Sequence, residues 1–332
     1  MKSALKRLIT GQSFNQEYLC LAKELRYPLE AFLIVGGSDP LNVTAIHRFV
    51  GYKPLVIAIG FELSRYINHT KVCLCFTNKD FEANDEWMGF QVDSKSVAKL
   101  LLIKKETKRI GDTEIVFYQG CYGHHHFLPW YNQVLNSILL KFKKKVIGNI
   151  SLNGNLYDQV RIAYAIPRKI ALISVADNGL MNMFPTDLHG MINDSIYISS
   201  LRIGGEACKQ VERIRKIVIS DIESLHYQEV YSMGKNHMRQ MKPIQEFDIS
   251  DEYSDLFKFP LPKRTSHYRE LEIASTFDLG IHRVFLYKIV NEKSIKIIFP
   301  LFHIHNYYGQ WRKNNKLPGD YLLRVSNASS VR

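Results

Sequence analysis

Short apolar runs, each closed by turn formers, punctuate this chain from residue 28 to residue 220. Pro28-Leu-Glu-Ala-Phe-Leu-Ile-Val35 runs into Gly36-Gly-Ser-Asp-Pro40 and then Leu41-Asn42, and Leu55-Val-Ile-Ala-Ile59 and Val72-Cys-Leu-Cys-Phe76 follow. Runs of this length, rich in β-branched residues and bounded by Gly, Pro, Asn and Asp, read as strands, and the first pair reads as a hairpin. Glu62, Arg65, Ile67 and Lys71 mark a short helix that feeds the last of these strands. Strands at close spacing with one helix predict a small antiparallel barrel rather than alternating βαβ units.

The same order then recurs. Pro167-Arg-Lys-Ile-Ala-Leu-Ile-Ser-Val175 runs into Ala176-Asp-Asn-Gly179 and Leu180-Met-Asn182. Thr44-Ala-Ile-His47 matches Thr186-Asp-Leu-His189, and Leu55–Ile59 matches Ser195-Ile-Tyr-Ile-Ser199. Glu206, Lys209, Val211 and Arg215 repeat the helix residues ahead of Ile217–Ser220, and Gly123-His-His125 is paired with Gly280-Ile-His282. Ordered self-similarity of this kind indicates a duplication. One copy is expected over 18–147 and a second over 155–315, joined at the turn-rich Gly148-Asn-Ile-Ser-Leu-Asn-Gly154. The small, polar end Ser326–Arg332 is expected to fray.

Composition narrows the class. A chain of 332 residues, 46% of them hydrophobic, can fill a sizeable core, which excludes a disordered protein. No run is long and apolar enough to span a bilayer, and Met1-Lys-Ser-Ala-Leu-Lys-Arg7 lacks a secretory core. Five scattered cysteines make no disulfide framework. A reduced, soluble, cytoplasmic protein without a membrane partner is expected. The 44 Lys and Arg against 32 Asp and Glu give +12, which favours anions as partners or simply a solvated basic face. Nucleic acid is an unlikely partner, because no finger spacing, aromatic RNP-like run or basic zipper is present. The clusters Lys104–Arg109 and Lys141-Phe142-Lys143-Lys144-Lys145 are separate and not interleaved with stacking aromatics.

Familiar catalytic patterns are missing. No Gly-x-Gly-x-x-Gly follows a strand, no phosphate loop ends in Gly-Lys-Ser/Thr, and no Gly-x-Ser-x-Gly elbow exists. His124 with His126, and His303 with His305, share strand faces, but no third ligand stands at diagnostic spacing, so no metal site is expected.

The steps from Pro167 to Asp221 carry a resemblance. Pro167, the strand Ile170–Val175, the turn Asn178-Gly179, Asn182, Thr186, the strand Ile196–Ser199 and the helix Glu206–Arg215 resemble the flavin reductase-like family of FMN-binding split barrels. Gly280-Ile-His282 is similar to the family's later Gly-x-His. The resemblance implies a mainly β fold with minor α: two tandem split barrels packed as a pseudo-dimer, with flavin at their junction. It further implies FMN as cofactor, NAD(P)H as transient electron donor and hydride transfer to the flavin. Asn182, Thr186, Arg202, Gly204 and Gly205 would then bind the cofactor, and His282 would act near the ring.

The family's Ser or Thr at the helix start is missing from Arg202-Ile-Gly-Gly-Glu-Ala207, and Glu206 would repel a phosphate if it pointed inward. Arg202 and the amides of Gly204 and Gly205 are the available substitutes. Read as residues alone, Thr186 suits a turn as well as a flavin edge, whereas Asn182 suits a turn, and His47 and His189 a core or interface, better than a site. Two rival functions stay open: a non-catalytic binding module whose flavin site has decayed, and a basic scaffold for nucleic acid or an acidic partner.

Overall fold

The apolar runs pair where their spacing places them, with boundaries moved by a residue or two: Glu30–Ile34, Leu55–Phe61, Lys71–Thr77, Ala171–Asp177, Ile196–Arg202 and Lys216–Ile222 are all strands. The structure is a computed structural model that describes residues 11, 13–14, 16–61, 66–78, 80–142, 152 and 154–322. The helix residues Glu62 and Arg65, most of the 148–154 joint, Lys143–Lys145 and the last ten residues lie outside these.

Two antiparallel sheets form the body of the molecule. The first runs in the order Leu41–Asn42, Glu30–Ile34, Lys71–Thr77, Ala98–Ile110, Thr113–His125, Leu55–Phe61, His47–Tyr52. The second runs Leu180–Thr186, Ala171–Asp177, Lys216–Ile222, Thr265–Leu279, His282–Ser294, Ile196–Arg202, His189–Met191, with Lys242–Pro243 added beside Leu180–Thr186. The two orders are the same, strand for strand. The chain is therefore mainly β and built as two tandem split barrels packed as a pseudo-dimer.

The repeat reaches the turns. Gly37 and Gly179 hold φ of 76° and 77° in equivalent turns, and Gly111 and Gly280 hold 58° and 62° in equivalent hairpins. Only glycine takes this left-handed backbone without strain. Gly280 thus corresponds to Gly111, and the pairing of Gly123–His125 with Gly280–His282 is corrected: Gly123 sits near the far end of its strand, whereas Gly280 opens the next one. A two-residue signature slid along a 13-residue strand because nothing local pins its register.

The second barrel's core holds Ile173, Phe184, Tyr197, Leu271 and Phe285, closed by Cys208 and Val211 of the helix Glu206–Ile214. The first barrel's core is finished from elsewhere in the chain. Val160 and Ile162 of the helix Asn155–Ala163, and Ile304, Tyr307 and Tyr308 near the end of the described chain, pack into it. The strand Phe302–His305 pairs with Tyr18–Leu21 on one side and Arg168–Lys169 on the other, tying both barrels to one small sheet. These helices, and Trp130–Phe142, were not visible in the strand pattern. No helix among the described residues is long and apolar enough to cross a membrane.

An apolar seam joins the barrels. Val50, Val56, Ala58, Ile115 and Phe117 from the first meet Ile192, Ile196, Ile198, Val284 and Leu286 from the second, drawn from equivalent strands on each side. Polar contacts fix its register: Ser200 Oγ donates to Val50 O at 2.5 Å, Asn193 Nδ2 to Thr113 Oγ1 at 2.7 Å and Ile281 N to Lys53 O at 3.2 Å.

Candidate functional site: a basic cleft at the barrel junction

The duplicated Thr-x-x-His segments converge on the pseudo-two-fold region. Thr44, His47 and Arg48 from the first barrel face Asp187, His189, Gly190 and Tyr197 from the second across a cleft of about 260 Å³. Arg168, Lys169, Arg269 and Phe302 complete the wall. A wider depression of about 760 Å³ lies at Glu30, Phe32, Asp80, Glu82 and Lys95. It is lined by one barrel alone and holds none of the expected site residues, so the junction cleft is the better candidate despite its size.

Four cations line the cleft, in two kinds. Lys169 Nζ is paired to Asp221 at 2.8 Å, and Arg269 to Glu292 at 2.7 Å. Arg168 and Arg48 have no carboxylate within salt-bridge distance among the described residues. Arg168 donates through Nε (2.9 Å) and Nη2 (2.7 Å) to Ala163 O at the end of the helix Asn155–Ala163, while Arg48 donates to His47 O at 2.7 Å. Burial pulls the Arg168 guanidinium down to about 10, and the Arg48 charge adds to that shift against the opposing influence of Tyr164 and Asp187. Burial likewise lowers Arg48. Two partly desolvated like charges in one cleft favour a bound anion.

The two equivalent histidines are neutral. His47 Nδ1 donates to Val43 O at 2.8 Å, which leaves Nε2 to accept from Arg168 Nη2 at 3.5 Å. Burial, with Arg168 next in weight, holds His47 at about 3. His189 Nε2 donates to Lys169 O at 3.0 Å and Nδ1 accepts the Tyr197 hydroxyl at 2.5 Å. Burial and Lys169 bring it to about 4.

Behind the cleft wall runs a hydrogen-bonded file. Asp187 Oδ2 accepts from the Tyr164 hydroxyl at 2.6 Å and from His303 Nε2 at 3.0 Å, and His303 Nδ1 accepts from the Tyr231 hydroxyl at 2.7 Å. Burial alone would raise the Asp187 carboxyl; His303 and Tyr164 outweigh it and hold the group at about 2. The ionised Asp187 carboxylate thus orients the His303 imidazole toward a phenol, an arrangement able to hold or move a proton between the cleft wall and Tyr231.

The residues expected from the sequence divide. Thr186 adjoins Asp187, and its Oγ1 accepts from Leu188 N at 3.3 Å, as a turn residue does. His282 is buried at the seam with its ring 4.5 Å from Tyr52; burial and then Arg202 lower it to about 4. Arg202 is its cross-strand neighbour, exposed at the end of Ile196–Arg202.

Asn182, Gly204 and Gly205 lie apart from the cleft; Asn182 and Gly205 sit under the segment inserted between Lys216–Ile222 and Thr265–Leu279, and Gly204 is exposed beside them. Asn182 Nδ2 donates to Gln210 Oε1 (2.7 Å) and Asn236 O (3.1 Å), while Oδ1 accepts from Met183 N (2.9 Å). A Cβ on Gly205 would lie 3.2 Å from the His237 carbonyl, so this segment also crosses the helix start. The structure does not bring these six residues to one cavity. Arg48, Arg168, Lys169 and Asp187 were not expected, and His303 was weighed only beside His305 on a strand face. For the first four the only signal was the repeated Thr-x-x-His, inside which Asp187 stands and beside which Arg48 stands.

A mainly β pseudo-dimer with an anion-seeking cleft on its junction is the class that fold and site define. No family model and no curated protein matches the chain. Solved structures that it is similar to include the flavin reductase PheA2 in its native state, at 12% identity and a TM-score of 0.38, over 47% of this chain and 95% of that one. The Streptomyces globisporus C-1027 NADH:FAD oxidoreductase SgcE6 is similar at 9% identity and a TM-score of 0.41, over 49% and 95%. An FMN-binding protein from Thermus thermophilus with bound 1-cyclohex-2-enone is similar at 15% identity and a TM-score of 0.36, over 46% and 80%.

Proposed function

We propose that this chain is a tandem split-barrel flavoprotein, with units 18–147 and 155–315, that binds FMN by its phosphate in the junction cleft and acts as a flavin reductase in the cytoplasm. One observation carries the reading: Arg48 and Arg168, from opposite barrels, line a single cleft, and neither has a carboxylate within salt-bridge distance among the described residues. Their donor chemistry fits a phosphomonoester, which brings about two negative charges and several acceptor oxygens. Tyr197, His189 and Phe302 give the cleft flat neighbours. A bound flavin would supply the hydride-accepting centre, with NAD(P)H as the transient donor. This chain's own contribution is to hold the phosphate, exclude water at the seam and keep a proton file at Asp187 and His303. The five free cysteines suit a reducing compartment.

A second reading has its own support. Asn182 and Gly205 are covered by residues 233–240, which favours a non-catalytic binding module whose flavin site has decayed. Both readings meet one experiment. FMN and riboflavin are titrated into wild type and Arg48→Ala, and NAD(P)H oxidation is followed in the loaded protein. Loss of one charge-assisted contact corresponds to about 1.5–3 kcal/mol, or roughly 10- to 150-fold weaker FMN binding. Riboflavin, lacking the phosphate, should change little. Wild type that cannot be loaded with FMN would select the second reading, and equal losses for both flavins would remove the phosphate from this cleft.

A further inference from the structure

The two paired cations of the junction cleft, Lys169 and Arg269, are tied to each other through a histidine outside its wall. Each shares one carboxylate oxygen with His267. Asp221 Oδ2 lies 2.8 Å from Lys169 Nζ and 3.5 Å from His267 Nδ1. Glu292 Oε1 lies 2.7 Å from an Arg269 Nη and 2.7 Å from His267 Nε2. The row thus alternates cation, carboxylate, imidazole, carboxylate, cation, and four strands supply it. Glu292 is its most open member; the Asp221, His267 and Arg269 side chains are 11–15% exposed, so water screens their charges weakly. Burial would raise Asp221, but His267 and Lys169 hold it well below the usual carboxylate range. Glu292 is likewise lowered by Arg269 and His267 against its burial.

We infer that anion capture in the junction cleft is coupled to proton uptake at His267. The inference rests on the cleft being an anion site, as proposed above. A neutral ring has one N–H and one lone pair, so donation from Nε2 to Glu292 turns the Nδ1 lone pair toward Asp221, whereas an imidazolium donates to both. Lys169 offsets that conflict from the other side of Asp221. An anion in the cleft draws Lys169 and Arg269 toward itself, and each carboxylate loses a cation. A proton on Nδ1 then compensates two carboxylates that face one ring. Arg269 keeps a donor in reserve for the anion, since its Nε is buried with no hydrogen-bond partner among the described residues. The other groups around the row do not compete: burial keeps His189 and Tyr197, behind Asp221, uncharged, and Lys293 and Lys296 are engaged by Asp255 and Glu223. His267 touches no ligand and acts as a positioning residue through the two cations. By reciprocity, its proton tightens the anion by the same factor as the anion tightens the proton.

The test follows the histidine ring resonances of the full chain by NMR over about pH 6 to 8.5, with sulfate or with chloride at equal ionic strength, in wild type and Arg48→Ala. Sulfate is the probe because it does not itself titrate near neutral pH. The His267 resonance is the one missing from His267→Gln. Sulfate should raise its midpoint by about 0.5 pH unit, an approximately threefold tighter proton, and Arg48→Ala should abolish the shift. A wild-type midpoint that sulfate leaves in place overturns the inference, as does a shift that survives Arg48→Ala, which would put the sulfate elsewhere. The FMN reading fails separately: FMN and riboflavin weakened equally by Arg48→Ala, with the sulfate shift present in wild type, would remove the flavin phosphate and keep the proton coupling.

Discussion

Three buried histidines sit at the barrel junction, and they make the pairing of the barrels sensitive to mild acid. His47 is held at about 3, and His189 and His282 at about 4, in each case chiefly by burial. Nearby cations add to this: Arg168 at His47, Lys169 at His189 and Arg202 at His282. Because the folded values lie below the ordinary 6.5, the unfolded chain takes up protons first as pH falls. The stability these neutral rings provide is complete above about pH 6.5 and is lost progressively from there down to the folded values. At pH 5 each ring has lost about 1.5 pKa units' worth, or roughly 2 kcal/mol, and the three together about 6 kcal/mol. That is a large part of the 5–15 kcal/mol typical of a domain. The assay is urea unfolding between pH 8 and 5 for wild type and His282→Gln. Wild-type stability should fall steeply over this window, and the variant's fall should be shallower by one proton, about 2 kcal/mol in total. Stability that is flat from pH 7 to 5, or an unchanged slope in His282→Gln, would refute the reasoning.

Asn182→Ala should destabilise the fold by on the order of 2–3 kcal/mol in thermal or urea unfolding, because Gln210 and the Asn236 carbonyl lose their donor; FMN affinity should stay near that of wild type. A Cβ on Gly280 would stand 2.3 Å from Pro54 Cδ and 2.4 Å from the Lys53 carbonyl oxygen, on a left-handed backbone. Gly280→Ala should therefore cost about 2–5 kcal/mol in urea unfolding, combining overpacking with backbone strain. On Gly190 a Cβ would meet Arg48 Cδ and Nε at 2.4 Å. Gly190→Ala should displace that guanidinium and weaken FMN, measured by fluorescence titration, by about tenfold, with riboflavin little affected.

What the sequence determined by itself was local and periodic: the apolar runs, the turn glycines, the helix Glu206–Ile214 and the recurrence of all of them. Strand identity follows from residue type and alternation over a few positions, and Gly37 and Gly179 are demanded by their own backbones, so each is legible without its neighbours. Thr44–His47 and Thr186–His189 could be paired on sequence alone. That they face each other across one cleft could not, because the seam that brings them together is made by side chains far apart in the sequence, such as Val50 with Ser200 and Thr113 with Asn193. The same limit explains Arg168, an ordinary basic residue in the sequence, and His303, legible only as half of a histidine pair, until the strand Phe302–His305 closes the small sheet that sets Cys20 and Arg168 on either side of His303. It explains Asn182 as well, a plausible ligand for a flavin until the inserted segment supplies its partners. Burial decides whether a polar side chain must be satisfied by the protein or is left for a ligand, and burial is a property of the assembled fold.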